Sequence, residues 1–475
     1  MEVLLACIGH FIGRWGKKQL VVTWGVASSV GLVLFGSSSA DELFPIPPQI
    51  EKNVDFWTKI YSQYSSNHVV IHDRNDLAII YKVINLDNRP ADSLQTWQVV
   101  EDVKDRYRLI LQNLAQKKSP VHLDSLTAEE RHVYILWSQH DEPQKFASAI
   151  YAVRAQVGLR DHFEESIKRA GYYKDNIEAI FRSYDLPLQL TYLPHVESLF
   201  NFKAYSKVGA AGVWQFMRYT GRLFMTIDAA IDERLDPLIA ADGAAQLLKK
   251  NYDELQSWPL AITAYNHGVN GMLKAREQCE TDDFGIIYEK YSSPMFSFAS
   301  KNFYAEFLAA WHVAENHAAY FDGVQPYPAI RFQTIQLPKS AYLKQLAEIF
   351  QVPIDTLIAY NPAFQNSVIL NTMPVPKGYE LRLPYREGFD PHAAIAQNIT
   401  KPLPAATKSR SRSSRRPLAT RDLTLSDSLA AAVYLRGHKL EAYIIEKLFT
   451  EPTPNLLGTE PEHDSPQPPV GAPGD

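Results

Sequence analysis

Between residues 154 and 321 the apolar side chains recur at a helical period, but in short runs that Gly, Pro and Asp keep interrupting. Such a span is expected to pack as many short helices around a shared core, so the fold class is mainly α. Residues 175–184 read as one helix, stopped at Leu186-Pro187 because the residue before a proline is pushed out of the α region. Residues 237–258 read as the longest, opened by Pro237, with Leu238, Leu247, Leu248, Tyr252 and Leu255 facing inward. A further apolar helix is expected over 259–275.

Within this span, Glu197 stands in apolar company: Leu193, Pro194 and Val196 precede it, and Leu199 and Phe200 follow Ser198. Desolvation disfavours the ionised carboxylate, so its pKa should rise toward the range where it can donate a proton near neutrality. Twelve residues on comes Gly209-Ala-Ala-Gly-Val-Trp-Gln215, a small-residue turn expected to open a helix and to let backbone or substrate approach closely. It delivers Trp214 as a stacking surface and Gln215 as an amide hydrogen-bonder. Ala264-Tyr-Asn-His-Gly268 lies further along.

These three pieces, in this order inside a helical pattern, resemble the soluble-lytic-transglycosylase domain, and most of all the type D membrane-bound lytic murein transglycosylases. The likeness runs from about residue 154 to 311 and takes in Leu186-Pro187 and Asp232-Glu-Arg-Leu-Asp-Pro237. It implies a lysozyme-like helical catalytic domain that cleaves the MurNAc–GlcNAc bond of peptidoglycan without water, leaving 1,6-anhydro ends. Glu197 would serve as the single acid and base, with Ser198, Gln215, Met217, Tyr265 and Asn266 binding the glycan and no metal or cofactor required. One departure stands out: Arg218 follows Met217 where the family usually has proline.

Glycosidases commonly employ two carboxylates, and the 193–217 block holds one. A hydrolytic muramidase on the same fold would need a second acid to hold water, for which Asp228, Asp232 and Glu233 are the candidates. A non-catalytic glycan-binding scaffold is the alternative from another class, and the intact motif set argues against it. His195-Val-Glu197 also fits the His-x-Glu of zinc deaminases, but that chemistry needs a downstream Pro-Cys-x-x-Cys and Cys279 stands alone. The His267 ring, between Asn266 and Gly268, is expected to be structural.

The rest of the chain supplies context. With 475 residues there is room for two or three domains, and 46% hydrophobic content supports real cores. A net charge of −5 is too mild to direct the chain to nucleic acid, and the basic residues between Lys408 and Arg416 are expected to be solvated or in loose contact with acidic envelope polymers. Arg14, Lys17 and Lys18 precede an apolar run over 20–34 and the small residues Ser38-Ser-Ala40, a signal peptide over residues 1–40 that sends the chain to the periplasm, with membrane association of the envelope type left open. Leu4-Leu-Ala-Cys7 resembles a lipidation box but lacks the basic and apolar residues that should precede it. With only Cys7 and Cys279 present, no disulfide framework is expected.

Residues 41–152 are expected to form a helical accessory region. Val54, Trp57, Tyr61 and Tyr64 share one helical side, residues 68–73 and 77–84 pair as a hairpin across a three-residue turn, residues 93–114 are amphipathic, and Thr127 to Glu130 fits a capping box. The catalytic domain is expected over 153–325. Over 330–386 the texture becomes strand, two short helices, strand; Leu346, Phe350, Val352, Leu357 and Asn361-Pro362 resemble a LysM module, a small βααβ glycan-binding unit. Pro338-Lys-Ser340 replaces its usual Gly-Asp-Thr/Ser turn. Such a module should be separable, so that truncation after Phe321 weakens sacculus binding yet spares cleavage of short soluble glycans. Residues 387–475 are expected to be linker, a short helical segment over 426–449 and a disordered acidic tail.

Overall fold

Strand β1 (His68–Asp73) is the seam of the structure, because its two faces are buried in different cores. Val70 points into the helical core shared with Phe163 and Phe298, whereas Val69 and Ile71 point into a smaller core with Val100, Tyr107 and Leu111, as the two-residue period of a strand requires. The computed structural model describes residues 42–86, 94–117 and 121–398, and from Phe44 onward they form one compact unit. The expected signal peptide, Cys7 and everything from residue 399 lie outside the described residues.

β2 (Ile80–Asn85) pairs antiparallel with β1, with His68 opposite Asn85 and a bulge between Ile71 and His72. The turn is longer than the expected three residues, since Asp73 N–H donates to Ile79 O, and Asp73 itself holds the turn by accepting from the N–H groups of Asn75 and Asp76. On the other side of β1 lies β3 (Val153–Val157), a strand not expected from the sequence. The Thr127 capping box is present, its hydroxyl accepting from Glu130 N–H and the Glu130 carboxylate accepting from Thr127 N–H.

The lead-in is buttoned into the helical core. The Glu51–Ser62 helix lies along the Phe298–Glu315 helix; Asn53 donates to Asn302 Oδ1 at 2.8 Å, and Phe44, Phe56, Trp57 and Tyr61 are buried. The long helix runs Pro237–Leu255, with Asp236 accepting from Leu238 and Ile239 N–H as its N-cap. The single helix expected over 259–275 is two, Trp258–His267 and Val269–Cys279. They break at Gly268, whose φ of 88° and ψ of 140° lie outside anything a helix tolerates.

The last folded piece is β4 (Phe332–Gln336), helices Leu343–Phe350 and Ile354–Tyr360, a short turn of helix Asn366–Ile369, and β5 (Glu380–Pro384) antiparallel to β4, followed by the Pro391–Asn398 helix. Its core holds Leu346, Phe350, Leu357, Leu381 and Leu383, together with Ala230 and Ile231 from the helical part. Among the described residues no helix is long and apolar enough to cross a membrane.

Candidate active site

Glu197 is the last residue of a one-turn helix, Leu193–Glu197, and the chain then turns sharply. Leu199 and Phe200 both sit in the left-handed region, at φ of 53° and 54°, which large side chains adopt only when their surroundings insist. Burial of both side chains, a bond from Phe200 N–H to Pro194 O and one from the Arg169 guanidinium to Leu199 O supply that insistence. Glu197 is left partly buried beside this reversal, and desolvation alone pushes its pKa up to about 8. At neutral pH it therefore carries its proton.

The structure sets a second acid against it, one that the motif reading missed. Glu306, from the Phe298–Glu315 helix, is 5% exposed, and its Oε1 is buried without a hydrogen-bond partner among the described residues. Burial first, then the neighbouring Glu197, push Glu306 up to about 8, against the pull of Arg154. The Arg154 guanidinium is seated 4.2 Å from the Phe298 ring centroid. Tyr61, from the lead-in helix, is buried close enough to feel both acids: its hydroxyl is pushed up by burial, then by the charges of Glu306 and Glu197. The sequence signal for Glu306 was a lone acid inside Phe303-Tyr-Ala-Glu-Phe-Leu-Ala-Ala310, where an exposed position would break the apolar run. Asp228, Asp232 and Glu233 are engaged elsewhere: Asp228 accepts from Ala230 and Ile231 N–H, Asp232 pairs with Arg234, and Glu233 accepts from Thr226 N–H.

The glycine turn forms no helix. It is an irregular loop in which Ala211 bridges both Tyr205 and Phe216, and a short helix starts only at Arg218. Gly212 is required there twice over, because its φ is +76° and a Cβ would lie 1.7 Å from Arg234 O. The close approach is thus backbone to backbone. Gly209, at φ +91°, meets nothing within 4 Å. Gly212→Ala is accordingly expected to destabilise the fold by more than ~2 kcal/mol, the left-handed penalty plus a backbone clash, whereas Gly209→Ala carries the conformational penalty of about 1 kcal/mol alone. Urea titration of both variants checks this; equal losses would mean that the Arg234 contact is not tight.

Around this loop the other candidate residues find their places. The Ser198 hydroxyl donates to Val213 O at 3.0 Å and the Tyr265 hydroxyl to Trp214 O at 2.8 Å, so both brace the loop from the Glu197 side. Tyr265 is also close enough to feel the charge of Glu197. Gln215, itself at φ 47°, folds its amide back onto Gly212 O at 2.7 Å. Asn266 is exposed, and its Oδ1 accepts from Ser300. Met217 is 43% exposed at the loop's exit. Trp214 does not offer the expected stacking surface: it is fully buried, parallel to Phe181 at 5.5 Å, and donates to Pro237 O. His195 is structural as well, stacked on Phe163, bonded to Ser166 and pushed down to about 3 by burial, so it stays neutral.

Comparison with known proteins finds matches over two stretches of the chain. Residues 176–285 match the family model "Transglycosylase SLT domain", and residues 331–388 match "Lytic transglycosylase MltD, LysM-like domain". Two curated relatives, the membrane-bound lytic murein transglycosylases D of Escherichia coli strain K12 and of strain O6:H1, are each 24% identical over 219 residues, covering 44% of this chain and 46% of theirs. A putative tributyltin chloride resistance protein of Alteromonas sp. (strain M-1) is 35% identical over 109 residues, 22% of this chain and 52% of its own. The chain spans about half the length of the curated relatives it matches. It carries a lysozyme-like SLT domain followed by a LysM-like domain.

Proposed function

We propose that the chain is a peptidoglycan lytic transglycosylase of the cell envelope, acting in the periplasm on the glycan strands, with Glu197 as its single acid and base. What supports this reading is the placement of Glu197, at the end of its one-turn helix beside the turn that Ser198 and Tyr265 hold, where desolvation pushes its carboxyl up to about 8. It donates its proton to the glycosidic oxygen between N-acetylmuramic acid and N-acetylglucosamine. The C1–O bond breaks and the glucosamine leaves with a hydroxyl. The substrate's own N-acetyl oxygen steadies the cationic C1. The new Glu197 carboxylate then takes the proton of the muramic 6-hydroxyl, whose oxygen closes onto C1. That intramolecular attack gains a large effective molarity over water.

A hydrolase would need a base for water, and Glu306 is poorly suited to the task. It is buried, and the same desolvation pushes it up to about 8. Gln215, Met217, Tyr265 and Asn266 are the glycan-binding candidates that retain exposed or partly exposed surface, while the Ser198 and Tyr265 hydroxyls also hold the loop that carries Gln215 and Met217. No cofactor enters this scheme.

Digestion of purified sacculi in oxygen-18 water, followed by mass spectrometry of the released muropeptides, tests the assignment. The expected dominant product carries 1,6-anhydromuramoyl ends without label. New muramic ends that are mostly reducing and labelled would replace the transglycosylase by a muramidase.

A further inference from the structure

The LysM-like domain is fastened to the helical domain by a built interface. Asp232 N–H donates to Ala363 O at 2.8 Å and Gln365 N–H to Ala230 O at 2.9 Å, flanking an antiparallel bridge between Ile231 and Phe364. The Ser367 hydroxyl donates to Ala229 O. Arg382 of β5 forms a buried ion pair with Asp236, the residue that caps the Pro237–Leu255 helix. Ala230 and Ile231 complete the LysM-like core.

The same 228–236 loop holds the glycine turn of the site. Arg234, gripped by both oxygens of Asp232 at 2.9 and 2.7 Å, donates to Gly209 O at 2.7 Å and to Phe216 O at 3.0 Å. Its carbonyl is the one that leaves room only for a glycine at 212. The turn is thus clamped between the Ser198 and Tyr265 hydroxyls on one side and Arg234 on the other.

We propose that the LysM-like domain is a fixed structural part of the active site, holding the 228–236 loop, and through Arg234 the 209–217 turn, in the shape that binds glycan. Arg382 is the positioning residue of this arrangement. This reverses the separability expected from sequence, and it rests on the proposed function only for its catalytic consequence. A tethered sugar-binding module would need neither a backbone bridge nor a buried charge pair. Removing one partner of such a pair leaves the other charge buried and uncompensated.

Hydrogen exchange on the full chain, together with steady-state cleavage of short uncrosslinked glycan strands, tests the proposal. Arg382→Met is expected to speed amide exchange over 228–236 and 209–217 at least tenfold, with the Leu94–Gln116 helix unchanged, and to lower kcat/KM on the soluble strands at least fivefold. Should Arg382→Met fail to fold, Gln365→Pro removes one interface N–H at a φ of −84°, close to the range proline adopts, and is expected to act in the same direction. Fast exchange at 209–217 supports the coupling even if the wild-type chain cleaves nothing, so failure of the functional reading is told apart. Unchanged exchange at 209–217 when the 228–236 loop has loosened would overturn it. So would weaker sacculus binding with exchange and soluble cleavage both intact.

Discussion

Glu197→Gln is expected to lose cleavage of purified sacculi by at least ~10³-fold while keeping the fold. General acid or base catalysis is worth ~10²–10⁴-fold when one step uses it, and here one carboxyl serves departure of the leaving group and attack of the 6-hydroxyl. Glutamine keeps the size and can accept the same surroundings, but has no proton to give. Because the wild-type residue is already neutral at pH 7, the pocket loses no charge and the thermal midpoint should not fall. The wild-type rate should decline as pH rises through about 8, where the acid form is lost. Muropeptide release measured by liquid chromatography decides the matter: a variant that keeps more than a tenth of wild-type turnover would remove Glu197 from the role.

What the sequence could disclose depended on how local each cause is. The Thr127 and Glu130 cap and the Asp236-Pro237 helix start were legible because all their partners lie within one turn of chain. Glu197 was legible because apolar neighbours in sequence are also neighbours in space along a short helix. β3 was missed because a strand between two helices has meaning only once β1 is found beside it. Trp214 was misjudged for a related reason: an aromatic after a glycine turn can face substrate or core, and Phe181, which takes its ring, lies on a separate helix. The break at Gly268 was visible as a glycine but not as a positive φ. The docking of the LysM-like domain was out of reach altogether, since the Arg382–Asp236 pair joins residues far apart in the chain and each alone reads as a surface charge.

Glu306 belongs to the same illegible class, and its substitution makes the sharpest test of the pocket's electrostatics. The ordinary value for a glutamate is 4.5, and in the folded chain Glu306 is pushed up to about 8, chiefly by burial. Between those two pH values the native state keeps a proton that the unfolded state has released, so stability falls as pH rises across the window. The absolute pH profile is blurred below 6.5, because His72 and His195, pushed down to about 3 by burial, contribute the opposite slope there. The difference between Glu306→Gln and wild type isolates the carboxyl. That difference should be small at pH 4.5 and widen in favour of the variant up to about pH 8. One pKa unit is worth about 1.4 kcal/mol; with relaxation of the folded pocket discounted, a gain of ~2 kcal/mol, or roughly 5 °C in Tm, is expected. Cleavage by the same variant should stay within about tenfold of wild type, because a protonated, buried acid is not the base that activates a nucleophile. A stability difference that stays flat with pH would mean that Glu306 is ionised and paired with Arg154. Abolished cleavage with the fold intact would instead make Glu306 the second carboxylate of a hydrolase.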